Sequence, residues 1–173
     1  MQCIVLIVIK LILAGTLLLF CFVIPLHVYT IGVNQGIGIQ GSFYRYQVTV
    51  YGPMMITMVQ DIGYVTSGTY SQRTALTIVF WVTGSILLVI ATLIHLIRPD
   101  YFNQHHKAST GFLLMGAGLV FIISCMAQFG PFFHGRAGIS LPFGGFLLMV
   151  LGIYLMMYPS LLYSPPLLKK SLI

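Results

Sequence analysis

The sequence contains no glutamate and only two aspartates, Asp61 and Asp100, and charged residues make up 6% of its 173 positions. A soluble domain carries about 25%. A chain this poor in charge cannot cover a globule with polar surface, so lipid is its expected solvent. Acid–base catalysis needs a positioned titratable group, often a pair, and the two aspartates fall in segments expected on opposite sides of a membrane. The sequence has no His-Glu-x-x-His, no P-loop and no Gly-x-Ser-x-Gly. Tryptophan occurs once, as Trp81. The cysteines Cys3, Cys21 and Cys125 all lie in apolar runs, where cysteine acts as a small hydrophobe, so no loop disulfide is expected.

What the sequence has instead is apolar length. Hydrophobic residues make up 58% of the chain and its mean hydropathy is +1.00. The net charge of +6 comes from cations scattered singly. They read as interfacial anchors and topology signals rather than as a nucleic-acid surface. A membrane-spanning helix needs about 20 mostly apolar residues, and four runs qualify, at about 3–26, 75–97, 108–130 and 141–162. The first is too long for the apolar stretch of a signal peptide, so it is read as a retained helix. The expected fold is an all-α membrane protein, a four-transmembrane-helix bundle with a small antiparallel β-sheet in the first extracellular loop, forming a single domain.

Lys and Arg set the expected orientation. Arg98 and Lys107 flank one short connection and Lys169 and Lys170 lie in the C-terminal tail, whereas Arg136 stands alone in the other short loop. This bias puts both termini in the cytoplasm and the long loop at about 27–74 outside.

That loop carries six of the ten tyrosines. Phe43 to Tyr51 is rich in aromatic and β-branched residues, with Tyr44, Tyr46, Val48 and Val50 on one face and Arg45, Gln47 and Thr49 on the other, which is strand chemistry at strand period. Gly52-Pro53 signals a turn, Met54 to Val59 reads as a strand pairing back, and His27 to Ile31 reads as a further strand. A sheet of three or four strands is expected.

This order of parts resembles the claudin and peripheral myelin protein superfamily of tetraspan proteins. Ser71-Gln72-Arg73-Thr74-Ala75-Leu76 resembles that family's arginine-containing opening of the second helix, and Gly36-Ile37-Gly38-Ile39 stands where the family has Gly-Leu-Trp. The loop lacks the family's tryptophans and its cysteine pair. The resemblance therefore carries over only Arg73, and implies a fold rather than a barrier or adhesion role.

Lys10 is the most unusual residue, because a charge inside an apolar helix is costly. It is expected to snorkel to the inner headgroups, or to meet an anionic group or partner subunit if it faces the bundle. His27, His95, His105, His106 and His134 match no metal-ligand spacing, and neither a metal nor another cofactor is expected. Gly145 and Gly152 share a helix face with room for close packing. Ser124 and Gln128 are expected to bond to neighbouring helices. The contact candidates are Tyr44, Arg45, Tyr46, Tyr51 and Arg73. The expected function is non-enzymatic contact with membrane lipid, other membrane proteins or a second copy through the outer loop. The alternative is a small subunit of a larger respiratory or transport complex, with room for a cofactor between its helices.

Overall fold

The computed structural model describes residues 2–32, 35–97, 104–135 and 138–157. The elements run α1 (Gln2–Phe22), β1 (His27–Ile31), β2 (Gly36–Gln40), β3 (Tyr44–Thr49), β4 (Gly52–Thr57), α2 (Met58–Thr66), α3 (Gln72–Ile97), α4 (Gln104–Phe129), β5 (His134–Gly135), β6 (Gly138–Leu141) and α5 (Phe143–Met157).

The architecture corrects the expectation of a four-transmembrane-helix bundle. There are five helices among the described residues, and the sheet has six strands rather than three or four. Among the described residues, two helical segments are long and apolar enough to cross a membrane, Gln72–Ile97 in α3 and Ala108–Phe129 in α4. The apolar segments Leu11–Phe22 and Phe143–Met157 are shorter. The remainder of the fourth expected run, beyond Met157, lies outside the described residues, as do Arg98, Arg136, Lys169, Lys170 and the side chain of Lys10.

The sheet order is β4-β3-β2-β1-β6-β5, with antiparallel neighbours throughout. The first loop supplies β1 to β4, and the segment between α4 and α5 adds the β5–β6 hairpin beside β1. Pairing across such distance in sequence is invisible to local pattern, and four-residue β6 is too short to announce itself.

The segment expected as a second strand divides between β4 and α2. Gly52 and Pro53 are the first residues of β4, and the bend falls at Val50 and Tyr51 just before them. Proline is tolerated there because β4 is an edge strand. Strand ends and α2 begins at Thr57, which is the N-cap of a complete capping box: its side chain accepts from the Gln60 N–H, and Gln60 Oε1 accepts from the Thr57 N–H. The Thr57-x-x-Gln60 signature of a helix start lies within the apolar run Met54 to Val59 that reads as a strand.

The core lies between α1, α3, α4 and α5 and includes Leu17, Phe20, Trp81, Leu88, Leu114, Phe121 and Leu148. α4 and α5 approach through glycine. A Cβ on Gly118 would sit 2.5 Å from the Gly145 carbonyl oxygen, and one on Gly152 would sit 2.6 Å from that of Gly111. The shared face of Gly145 and Gly152 is therefore used inside the molecule. Polar side chains hold the other joints. Ser124 Oγ donates to the Thr77 carbonyl at 2.9 Å, linking α4 to α3. Arg73 Nε donates to the Ala127 carbonyl at 2.7 Å, which places a cation against the C-terminal turn of α4 where the helix dipole favours it.

The sheet is anchored by its β2–β3 connection. Trp81 Nε1 donates to the Gly41 carbonyl at 2.9 Å, Ser85 Oγ to the Ser42 carbonyl at 2.7 Å, and Ser42 Oγ to the Phe20 carbonyl at 2.9 Å. Trp81 and Ser85 lie well inside α3, so this end of the sheet is sunk between α1 and α3. The β3–β4 bend and the C-terminal end of β1 lie at the opposite end.

Candidate functional site

Strand alternation sorts the sheet residues into two faces, and burial shows which face is turned inward. Along β1, His27 and Tyr29 are buried and Val28 is exposed. Along β2, Gly38 and Gln40 are buried and Ile37 is exposed. Along β6, Ser140 is buried while Ile139 and Leu141 are exposed. On β3, Tyr46 and Val48 are exposed and Arg45 faces in with a side chain 13% accessible. The sheet is inverted: its polar face meets the helices and its apolar face looks out.

The inner face holds two polar clusters side by side. The register places His27 opposite Gln40, Gln40 opposite Arg45 and Arg45 opposite Ile56. Arg45 Nη2 donates to Asp61 Oδ1 at 2.7 Å and to the Tyr70 hydroxyl at 3.2 Å, and Tyr70 donates to the same Asp61 oxygen at 2.7 Å. Asp61 is 1% exposed and comes from the first turn of α2. Burial opposes the charge on Arg45, but the Asp61 carboxylate, with Tyr29 and Tyr70 behind it, outweighs burial and moves Arg45 upward from its ordinary value. Burial also raises Tyr70, and its hydrogen bond to Asp61 adds to the effect. Arg45 Nε and Asp61 Oδ2 are buried with no hydrogen-bond partner.

In the second cluster, Gln40 Oε1 stands 2.7 Å from His27 Nε2 and Ser140 Oγ stands 3.0 Å from His27 Nδ1. The amide oxygen can only accept, so Nε2 carries the proton and Nδ1 accepts from the Ser140 hydroxyl. Burial lowers the His27 pKa to about 4; the Gln40 hydrogen bond works against this and Arg45 reinforces it. Tyr29 packs at 5.2 Å from the His27 ring and 5.7 Å from Phe129, at the end of α4. Its ring crosses the bare Cα of Gly38, where any side chain would collide with it, and its hydroxyl reaches Gln47 at 3.4 Å. Burial pushes the Tyr29 hydroxyl up to about 12.

Ser140 and His27 have the hydrogen-bonded geometry of a nucleophile and its base. The third group is a neutral amide rather than a carboxylate, and Ser140 and His27 are both nearly inaccessible. Closed against solvent and packed by Tyr29 and Phe129, the cluster ties β1, β2 and β6 together. Among the described residues no group of three or more His, Cys, Asp or Glu side chains is placed to hold a metal.

The outer face is built from continuous cross-strand rows. Met55 pairs with Tyr46, Tyr46 with Ile39, Ile39 with Val28, and Val28 with Leu141. A second row, farther from the helices, runs Pro53, Val48, Ile37 and Thr30, with Ile139 bonded to Thr30 through its N–H. Neither row contains a charged residue.

No family model and no curated protein matches the chain. The resemblance drawn from the order of segments gains nothing from these comparisons.

Of the sequence candidates, the structure brings Tyr46 onto the outer face, sets Tyr51 at the β3–β4 bend with 96% of its surface exposed, and leaves Tyr44 partly buried beside Gly41. Arg45 turns to the opposite face and is part of the interior. Arg73 is a helix tie rather than a neighbour of the tyrosines. Gln40 and Ser140 carry no sequence signal of their own, and His27 and Asp61 are weighed in the sequence only as a metal ligand and as a catalytic acid. A signal was present for Asp61: one Asp and one strand Arg in an otherwise charge-poor aromatic loop are natural partners.

Proposed function

We propose that the protein is a non-enzymatic membrane protein that works by contact, and that its contact surface is the outward apolar face of the six-stranded sheet. The observation that carries this is the inversion itself. A sheet that only capped its own helices would bury its apolar face and show its polar one. This sheet uses its polar residues to hold itself together and leaves the rows through Tyr46 and Val48 uncovered. Exposed apolar patches of this kind mark interaction surfaces.

The membrane setting of this proposal rests on α3 and α4. Both expose large apolar side chains along their length, among them Val79, Ile86, Leu93, Phe112, Leu119 and Met126. We place these two helices across the bilayer, with the connection flanked by Arg98 and Lys107 on the cytoplasmic side and the sheet on the outer side.

The test is photo-cross-linking in intact membranes with a benzophenone side chain at Val48. A covalent adduct with lipid, or a cross-linked dimer of this chain, is the expected result. A foreign protein counts as a contact partner only if its yield falls when Ile37 is replaced by Lys. Reaction with water alone would exclude the outer face as a contact surface.

A further inference from the structure

We infer that the occupant of the outer face is the outer lipid leaflet: the sheet lies in the membrane boundary, with the row nearest the helices in contact with acyl chains and the β3–β4 bend in water. This rests on the contact reading above and names its partner.

The first support is position. The Trp81–Gly41 and Ser85–Ser42 bonds fasten the sheet to residues nine and thirteen places beyond Gln72, the start of α3. At 1.5 Å per residue these lie about 14 and 20 Å down the helix axis. The Met55–Tyr46–Ile39–Val28–Leu141 row is at this sunken end of the strands. Val48 and Ile37 lie two residues farther along, about 7 Å outward.

The second support is continuity. Val28 follows exposed Phe22 and Val23 at the end of α1, and Leu141 precedes exposed Phe143 and Phe146 at the start of α5. Exposed apolar residues of the helix ends therefore flank the row on both sides along the chain. On the far side, Met55 leads to α2, which exposes Val59 and Ile62 three residues apart on one face.

The third support is chemistry. Protein interfaces carry a polar rim and on the order of one hydrogen bond per 100–200 Å². Between the two rows this face offers only the Tyr46 and Thr30 hydroxyls, and Thr30 is already committed to Ile139. Arg45 and Asp61, the charges that would discriminate a protein partner, are turned inward. Lipid asks for no directional bond, and an interfacial tyrosine such as Tyr46 suits the headgroup level.

The test uses the full chain with single cysteines introduced at Met55, Val48 and Tyr51 in a Cys3→Ser background, where Cys21 and Cys125 are buried. Each is labelled with an environment-sensitive fluorophore and reconstituted into phosphatidylcholine vesicles containing a lipid with a nitroxide on its acyl chain. The expected result is a graded loss of emission, greatest and most blue-shifted at Met55, smaller at Val48 and absent at Tyr51, with quenching by aqueous iodide in the reverse order. Equal iodide access and no nitroxide quenching at all three sites would overturn the lipid assignment. If a cross-linked protein at Val48 accompanied that result, the lipid assignment would fall and the contact reading would stand. If neither lipid nor protein reached Val48, both would fall. Retention of the wild-type thermal transition by each labelled variant keeps misfolding from imitating either outcome.

Discussion

Arg45 Nη2 and Asp61 Oδ1 meet at 2.7 Å across sixteen residues of chain, joining the inner face of β3 to the first turn of α2. Both groups are largely out of water, so their attraction is offset by desolvation, and the pair matters most when one member is missing. Asp61→Asn and Arg45→Met should each lower stability by about 3–5 kcal/mol, because each leaves a buried charge without its counter-charge. The double variant Arg45→Met/Asp61→Leu should lose less than either single change. Thermal unfolding in mild detergent checks this, and a single variant as stable as the parent would remove the pair from any structural role.

His27 gives the protein an acid-sensitive stability. Its folded pKa is about 4, below the ordinary value near 6.5, so the unfolded chain binds the extra proton between these limits. Stability is full above pH 6.5, falls as pH drops through that window and levels off below pH 4, by about 3 kcal/mol in total. Replacing His27 by Gln keeps a hydrogen-bonding side chain but cannot titrate. The difference between the unfolding midpoints at pH 7 and pH 4.5 should therefore be smaller in His27→Gln than in the parent.

The contact of α4 with α5 depends on the absence of side chains at four positions. Gly152→Ala brings a methyl group within 2.7 Å of the Met115 backbone nitrogen as well as against Gly111, and should cost about 1–3 kcal/mol through forced separation. Gly15→Ala is the control, since a Cβ there meets nothing within 4 Å. It should be neutral or stabilise α1 by up to about 1 kcal/mol. Equal effects of the two substitutions in thermal unfolding would show that the α4–α5 approach is not tight.

Trp81 is a joint between helix and sheet as much as a core ring. Trp81→Phe keeps the packing but leaves the Gly41 carbonyl without its donor, at a cost of about 1–3 kcal/mol. The loss should be accompanied by faster amide exchange in β2 and β3 than in α4. Uniform exchange across all elements would mean that Trp81 acts only as core volume.

Local pattern made several parts of this molecule legible. Period-two alternation correctly divided β3 into Tyr46 and Val48 against Arg45 and Gln47. It could not say which set faces inward, because alternation is symmetric with respect to the two faces. That choice was made by Asp61 from α2, by Phe129 from α4 and by Ser140 from β6, residues 16 to 113 positions from their sheet partners. The stretch Met54 to Val59 was ambiguous for a different reason: a short apolar run fits strand and helix alike, and only the Thr57–Gln60 capping box divides it.

Composition and local spacing establish that charge is scarce, that α3 and the apolar part of α4 are long enough to cross a membrane, and that strands emerge after α1. Those properties follow from composition and from spacings of two to four residues, which the chain carries wherever it goes. The six strands of the sheet, the interior position of Arg45 and the outward apolar rows arise from long-range packing. These depend on groups far apart in the chain finding one another, since a buried polar side chain is tolerable only where its partner has also been brought.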